Sequence, residues 1–258
     1  SSASIALAED RDFFRALVAE IGMKQPASGI AHSIEDARRI AKEIGYPVLV
    51  RPSFVLGGRG MAIVYRESEL DSYVSEAVAA SEGKPILIDK FLEHAIELDV
   101  DAVSDGETTM IGAILEHIEA AGCHSGDAAA ITPPVSLSDK TLAEVKRYTE
   151  IFAKRLHVVG LMNMQYAIED GVVFVLEANP RASRTVPLVS KVCDINMVRV
   201  ATDICTREYT GRPSPVLTLR ERKIPYYGVK EAVFPFNMFQ EVDPVLGPEM
   251  RSTGAVLG

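Results

Sequence analysis

The run EANPR at 177–181 sets a carboxylate, Glu177, and an amide, Asn179, two positions apart, and Arg181 and Arg184 follow at once. Side chains two apart on a strand share a face, so an extended backbone here presents both oxygen donors together. In GLMNMQYAI, Asn163 and Gln165 likewise share a face, with Met162, Met164, Tyr166 and Ile168 on the other. One carboxylate with two amide oxygens is a hard donor set of the kind that holds Mg²⁺ while the ion bridges phosphate groups. Guanidinium groups beside it would face the same anion and bind it through directed hydrogen bonds. The competing reading is a hydrogen-bonded polar patch on an exposed sheet face, with the arginines in ordinary surface ion pairs.

Whether Gln165 meets Glu177 depends on the register of the hairpin that joins them, since directly opposed residues project to the same side. A two-residue turn at Asp170 and Gly171 opposes Met164 to Glu177 and separates the polar groups. A three-residue loop, 170–172, opposes Gln165 to Glu177 and suits a type I turn ending in a bulge. We predict the longer loop.

A second candidate is the glycine-rich stretch SFVLGGRG at 53–60, where Gly57, Gly58 and Gly60 would let backbone amides approach phosphate oxygens. The strand-like MAIVY follows it, whereas the dinucleotide fingerprint and the P-loop both need a helix there. A hairpin connection requiring positive φ is the plain alternative. Arg51, at the end of the apolar run YPVLVR, favours the phosphate reading, although an arginine at a strand end is often only a surface group.

Elements that would carry these groups alternate along the chain. Phe13, Phe14, Leu17, Val18 and Ile21 recur at helical spacing over 9–21, before Gly22. Ser33 and Asp36 resemble a capping box that starts a helix through Ala37, Ile40, Ala41 and Ile44, stopped by Gly45. After the glycine-rich stretch come a helix over 67–81 and, past Gly83, the strand PILIDKF. Ile96, Leu98 and Val100 alternate with acidic residues in a hairpin over 96–118 that turns at Asp105 and Gly106. Ser138 caps a helix to about His157, and another helix spans 197–206. Pro213, Pro215, Pro225, Pro235, Pro244 and Pro248 argue against long helices thereafter. Antiparallel hairpins mixed with helices indicate an α+β architecture with a small lobe before a larger one.

Bulk properties restrict the partners. With 36 acidic against 27 basic residues the net charge is −9, which disfavours a general nucleic-acid surface, so a polyphosphate site must gather its positive charge locally. Hydrophobic residues make up 47% of the 258, enough for a substantial core. The three cysteines, Cys123, Cys193 and Cys205, are too few and too far apart for a disulfide framework or a CxxC site, which fits a reducing cytoplasm. No apolar run reaches the ~18 residues of a membrane span, and no secretory signal is apparent.

RPSFVLGGRG, HIEAAGCHSGD, GLMNMQYAI, EANPRASRTVPLVSK and DPVLGPEMRSTG occur in this order. Through them the chain resembles the carbamoyl phosphate synthetase large chains over essentially its whole length, and specifically their second, carboxyl-terminal ATP-grasp unit. The resemblance implies an ATP-grasp fold of two subdomains, with antiparallel sheets, flanking helices and a nucleotide bound between them. It divides the chain into a helical tail of a preceding domain (1–23), a small lid subdomain (24–97) and a large subdomain with a Pro-rich end (98–258). It implies a cytoplasmic ligase, serving arginine or pyrimidine synthesis, that phosphorylates carbamate with ATP and two ions of Mg²⁺ or Mn²⁺. Matched positions make Arg11 and Arg51 phosphate-side cations, Gly57 and Gly58 a phosphate cover, Lys90 and Leu92 an adenine border and Glu97 the ribose acid. Gly122, Cys123, His124 and Ser125 match a nucleotide-lining loop, with His124 a contact and not a general base. Gln165 and Glu177 match ligands of one ion, Glu177 and Asn179 ligands of a second, and Arg181 and Arg184 are the candidates for holding carbamate and the migrating phosphoryl group. The implied partners are the rest of the large chain and a glutamine amidotransferase small subunit, with neither nucleic acid nor membrane. A nucleotide-binding or assembly fragment without turnover, or another ATP-grasp carboxylate–amine ligase, are the alternatives.

Overall fold

A computed structural model describes residues 2–52, 57–81, 84–239 and 241–258. The first part of the glycine-rich stretch, 53–56, and Gly83 lie outside the described residues. The chain begins with α1 (Ser2–Glu9) and α2 (Arg11–Glu20). Asp10 caps α2 by accepting from the Phe13 amide at 2.9 Å, which satisfies one of the free N–H groups of the first turn.

Four antiparallel strands form the smaller sheet: β1 (Ser28–Ala31), β2 (Val48–Arg51), β3 (Ala62–Val64) and β4 (Ile86–Lys90), in the order β1-β4-β2-β3. Between them run α3 (Ile34–Ile44) and α4 (Glu67–Ala80). Ser33 caps α3 as its sequence predicts, and Gly45 ends it at φ 82°. Ala37, Ile40, Ala41, Leu70, Val74 and Ala77 of the helices pack on Val48, Val50, Val64, Ile86 and Ile88 of the sheet. Because strand side chains alternate, Arg51 and Asp89 project from the opposite, helix-free face.

The larger sheet holds β5 (Ile96–Asp105), β6 (Thr109–His117), β7 (Ala130–Thr132), β8 (Val159–Glu169), β9 (Val172–Asn179), β10 (Gly228–Val233) and β11 (Gly254–Leu257), in the order β11-β10-β7-β6-β5-β8-β9. α5 (Asp139–Arg155) and α2 cover one face, where Phe14, Leu17, Val18 and Phe152 meet Leu98, Val100, Met162, Met164, Tyr166 and Val175. The Phe14 and Phe152 rings meet in a tilted pair with centroids 5.3 Å apart, and the buried Tyr166 hydroxyl finds Thr149 Oγ1 at 2.8 Å. α6 (Val186–Val192) and α7 (Met197–Cys205), followed by α8 (Arg207–Thr210), cover only part of the other face, packing on Val103, Met110, Ala113 and Leu115. The uncovered part of that face is polar, and the candidate site lies on it. Among the described residues no helix is long and apolar enough to cross a membrane.

Candidate functional site

The β8–β9 hairpin corrects one sequence expectation and satisfies another. Its connection is the two-residue turn, with Asp170 at φ 51° and Gly171 at φ 74°, and not the loop 170–172, since Glu169 pairs with Val172. Both left-handed positions suit a type I′ turn, which matches the twist of the flanking strands. Gln165 nevertheless pairs with Glu177, because an irregularity after Tyr166↔Val175 skips Leu176. That bulge changes the parity of β9. Val173 and Val175 enter the core before it and Ala178 after it, so Glu177 and Asn179 are directed to the polar face.

Glu97, Asp99 and Asp101 alternate along β5 on that same face. Asp99 lies opposite Gln165 and Asp101 opposite Asn163. Asn163 Nδ2 donates to Asp99 Oδ1 and Asp101 Oδ1, each at 3.1 Å, and Gln165 Nε2 donates to Asp99 Oδ1 at 3.2 Å and Ser125 Oγ at 2.9 Å. His117 is gripped between two carboxylates, with Nε2 2.9 Å from Asp99 Oδ2 and Nδ1 3.5 Å from Glu97 Oε2. Burial disfavours its charge, but the bonds to Asp99 and Glu97 outweigh burial and raise its pKa to about 9. Asp101 goes the other way. Its complete burial, with the Asp99 charge nearby, raises it to about 6 against the bonds from Thr185 and Ser183.

From the smaller sheet Arg51 reaches into this region, paired with Asp89 Oδ2 at 3.0 Å. Burial would lower its pKa, yet the fields of Asp89 and Glu177 raise it, so the guanidinium sits within the influence of the Glu177 carboxylate. Arg11 at the start of α2 is lowered by burial and by Arg51, which gathers two cations near Asp89. Lys90 Nζ is spent on the carbonyls of Gly45 and Tyr46 at 3.1 and 2.9 Å. Leu92 forms an apolar patch with Ala95 and Ala167, flanked by Ala121, Phe174 and Leu176. Beside it Glu97 Oε1 accepts from the Gly122 amide at 3.0 Å. Gly122 has φ 88°, and an added Cβ would stand 2.6 Å from Ile63, so the 122–127 loop is seated against the smaller sheet.

His124 is turned inward: its Nδ1 accepts from the Gly126 amide at 3.0 Å, and burial lowers its pKa. Cys123 is buried, and burial with nearby acids pushes its thiol up to about 12, far from a nucleophilic thiolate. Arg184 lies against the same loop, since a Cβ at Gly126 would sit 2.5 Å from its guanidinium. Arg181 is exposed and donates to Asn179 Oδ1 at 3.3 Å.

Groups that sequence reasoning passed over complete the site. Lys230 on β10 is 2% exposed and donates to Ser125 O at 2.8 Å. Residues 247–252 return across the loops: Met250 N donates to Gly57 O at 2.8 Å, His124 N to Gly247 O at 2.8 Å, and Asp127 accepts from the amides of Arg251 and Ser252. Gly58 tolerates this approach only as glycine, because its Cβ would lie 2.0 Å from Pro248 O at φ 68°.

The donor set suits a divalent cation of one kind. Among the described residues no group of three His, Cys, Asp or Glu side chains is placed to enclose a metal. A carboxylate with an amide oxygen across a strand pair is instead a partial set, fitting Mg²⁺ that takes further ligands from water and phosphate. Gln165 and Glu177, directly opposed across the strand pair, are the residues that would supply those two donors. Asn179 turns its Nδ2 to Glu177 Oε1 and its Oδ1 to Arg181, so its amide would have to rotate to offer oxygen beside Glu177.

A family model described as carbamoyl-phosphate synthase L chain, ATP binding domain, matches residues 10–209. The carbamoyl phosphate synthase large chain of Archaeoglobus fulgidus is 55% identical over 256 residues, 99% of this chain and 23% of that protein. The carbamoyl phosphate synthase large chain, C-terminal section, of Aquifex aeolicus is 53% identical over 99% of this chain and 50% of its own length. The chain thus spans between about a quarter and a half of these relatives. Among solved structures, the biotin carboxylase domain of Hydrogenobacter thermophilus 2-oxoglutarate carboxylase, in complex with MgADP, ADP and bicarbonate, matches with a TM-score of 0.75. It is 20% identical, over 98% of this chain and 62% of that one, which bears on the fold alone, and the fold is ATP-grasp.

Proposed function

Because this chain belongs to the carbamoyl-phosphate synthase large-chain ATP-binding family, we propose that it binds MgATP between its two sheets and transfers the γ-phosphoryl group to carbamate. The observation that carries this reading is the pairing of Gln165 with Glu177 beside Arg51. A carbamate oxygen attacks the γ-phosphorus, the bond to the β,γ-bridging oxygen breaks, and ADP departs with that electron pair. Carbamate is already an anion, so no general base is needed. The residues' task is to oppose charge repulsion and to align the attacking and leaving oxygens.

Arg181 and Arg184 hold carbamate and the migrating group, and Arg11 and Arg51 lie on the phosphate side. Leu92 and its apolar neighbours border the adenine, with Lys90 at the edge, and Glu97 takes the ribose hydroxyls. Gly122, Cys123, His124 and Ser125 line the nucleotide, while Gly57 and Gly58 cover the phosphates and exclude water. Glu177 serves two ions of Mg²⁺ or Mn²⁺, one shared with Gln165 and one with Asn179. When bound, such ions neutralise phosphate charge and fix the line of displacement. Carbamate would arrive from the remainder of a large chain in the cytoplasm, with ammonia from a glutamine amidotransferase small subunit. The product would feed arginine or pyrimidine synthesis.

The test is ATP formation from ADP and carbamoyl phosphate with Mg²⁺. Wild-type chain should exceed Glu177→Ala. If nucleotide binds but the two make equal ATP, turnover by this chain is refuted, and a nucleotide-binding fragment becomes the reading. That second reading is favoured by the chain's spanning only part of its relatives. Phosphorylation of another carboxylate in preference to carbamate would point instead to a carboxylate–amine ligase.

A further inference from the structure

Arg184 leaves the chain between two hydroxyl residues, and both are tied to one buried acid. Ser183 Oγ donates to Asp101 Oδ1 at 2.7 Å, and Thr185 Oγ1 donates to Asp101 Oδ2. The two hydroxyls also contact each other at 2.8 Å, and the Thr185 amide donates back to Ser183 Oγ at 3.2 Å. The backbone on either side of Arg184 is thereby closed into a small ring over a carboxylate.

That carboxylate is built into the sheet. Asp101 is 1% exposed in the middle of β5, with pairs to β6 on one side and to β8 on the other. Asn163 Nδ2 donates to it at 3.1 Å and ties it to Asp99. Thr185 is in turn the residue from which α6 starts, and it is 4% exposed. At the far end the exposed Arg184 guanidinium lies over Gly126 and donates from Nη2 to Met250 Sδ at 2.6 Å. A core of hydrophobic residues would have held the strand and helix together equally well. Placing a charged group there is costly, and the arrangement has value where a loop must be held to a fixed direction.

We propose that Asp101 is a positioning residue that, through Ser183 and Thr185, aims Arg184 at the terminal phosphate of the bound nucleotide. This rests on the proposed role of Arg184. Its signature is preference: the terminal phosphate distinguishes ATP from ADP, while adenine, ribose and the inner phosphates are held by other elements.

The test measures ATP and ADP binding to the 258-residue chain by calorimetry with Mg²⁺, in wild type, Arg184→Ala, Thr185→Val and the Arg184→Ala/Thr185→Val pair. Thr185→Val keeps the shape and removes one donor to Asp101, and Thr185→Ser keeps the donor. Arg184→Ala should lower the preference for ATP over ADP by roughly tenfold or more, as expected for a charged hydrogen bond. Thr185→Val should lower it by roughly threefold to tenfold with ADP affinity unchanged, and Thr185→Ser should restore it. In the Arg184→Ala background Thr185→Val should have no further effect. Asp101→Asn provides a second perturbation with the same expected dependence on Arg184. If Arg184→Ala lowers the preference and neither Thr185→Val nor Asp101→Asn does, or if their effects add to it, the positioning role is overturned. If Arg184→Ala leaves the preference unchanged, the role assigned to Arg184 falls and the positioning role with it.

Discussion

His117 offers a quantitative check on the acidic floor of the site, because its proton is held by Asp99 and Glu97 in the folded chain and by water in the unfolded one. The folded pKa is about 9 against an ordinary 6.5. At about 1.4 kcal/mol per pKa unit the difference corresponds to about 3 kcal/mol. The sign follows from linkage: the folded state binds the proton more tightly, so this stability is complete below pH 6.5 and is lost as pH rises toward 9. Cys123 pushes in the same direction above about pH 8.5, since the unfolded chain releases its thiol proton first. The measurement is therefore a difference. Urea unfolding of wild type and His117→Gln between pH 6.5 and 8.5 should show wild type losing about 2 to 3 kcal/mol more than the variant across that window. An NMR titration of the His117 ring should place its midpoint near 9. Equal slopes for the two proteins, or a ring that titrates at or below 6.5, would show that the two carboxylates do not hold the proton, and the geometry of the floor would be wrong.

Other perturbations address other parts of the molecule. Phe152→Ala removes a fully buried ring packed against Phe14 and should cost about 3 to 5 kcal/mol, read as a fall in the thermal midpoint of roughly 6 to 20 °C. Arg184→Ala should reduce the rate of ATP formation from ADP and carbamoyl phosphate by about 2 to 4 kcal/mol of transition-state stabilisation, comparable with losing an oxyanion donor, and an unchanged rate would exclude it from the chemistry. Gly58→Ala drives a methyl group into Pro248 O at a left-handed φ. Hydrogen exchange at the Met250 amide, which donates to Gly57 O, should rise in that variant, with little change on β5 or β8, and unchanged exchange would mean that the two segments are not in contact in solution.

What was legible in the sequence was whatever depends on neighbours in the chain. The periodicity of Phe14, Leu17 and Val18, the Ser33 cap and the alternation along 96–117 each reflect local rules, and the elements appear where those rules put them. The short strands β1, β7, β10 and β11 carry too few alternating residues to register, and each exists by pairing with a distant partner. Asp99 and Asp101 were visible only as the polar half of an alternating hairpin, which ordinarily means the wet face of an antiparallel sheet. Here the smaller sheet and the 122–127 loop stand over that face, and the acids become buried anchors. Lys230 had no local signal, since it lies in a proline-rich stretch and acquires its role by reaching Ser125 across the sheet.

The β8–β9 hairpin shows how two local rules in conflict can build a site. Asp170–Gly171 is a strong two-residue turn, and taken alone it carries Glu177 to a position opposite Met164, among Val175, Tyr166 and the other apolar side chains of the α5-covered face. A carboxylate there would be buried without a partner, which is among the costlier arrangements open to a protein interior. Lengthening the turn removes the conflict but gives up the favourable left-handed pair at Asp170 and Gly171. Skipping Leu176 keeps both the turn and the core: Val173 and Val175 remain inside, Ala178 takes the next inward place, and Leu176 joins the apolar patch of Leu92. The register that brings Gln165 and Glu177 together is therefore imposed by the hydrophobic pattern of β9 acting against its own turn, and the bulge that stability requires is the feature that sets the Glu177 carboxylate of β9 beside the acids of β5 on the polar side.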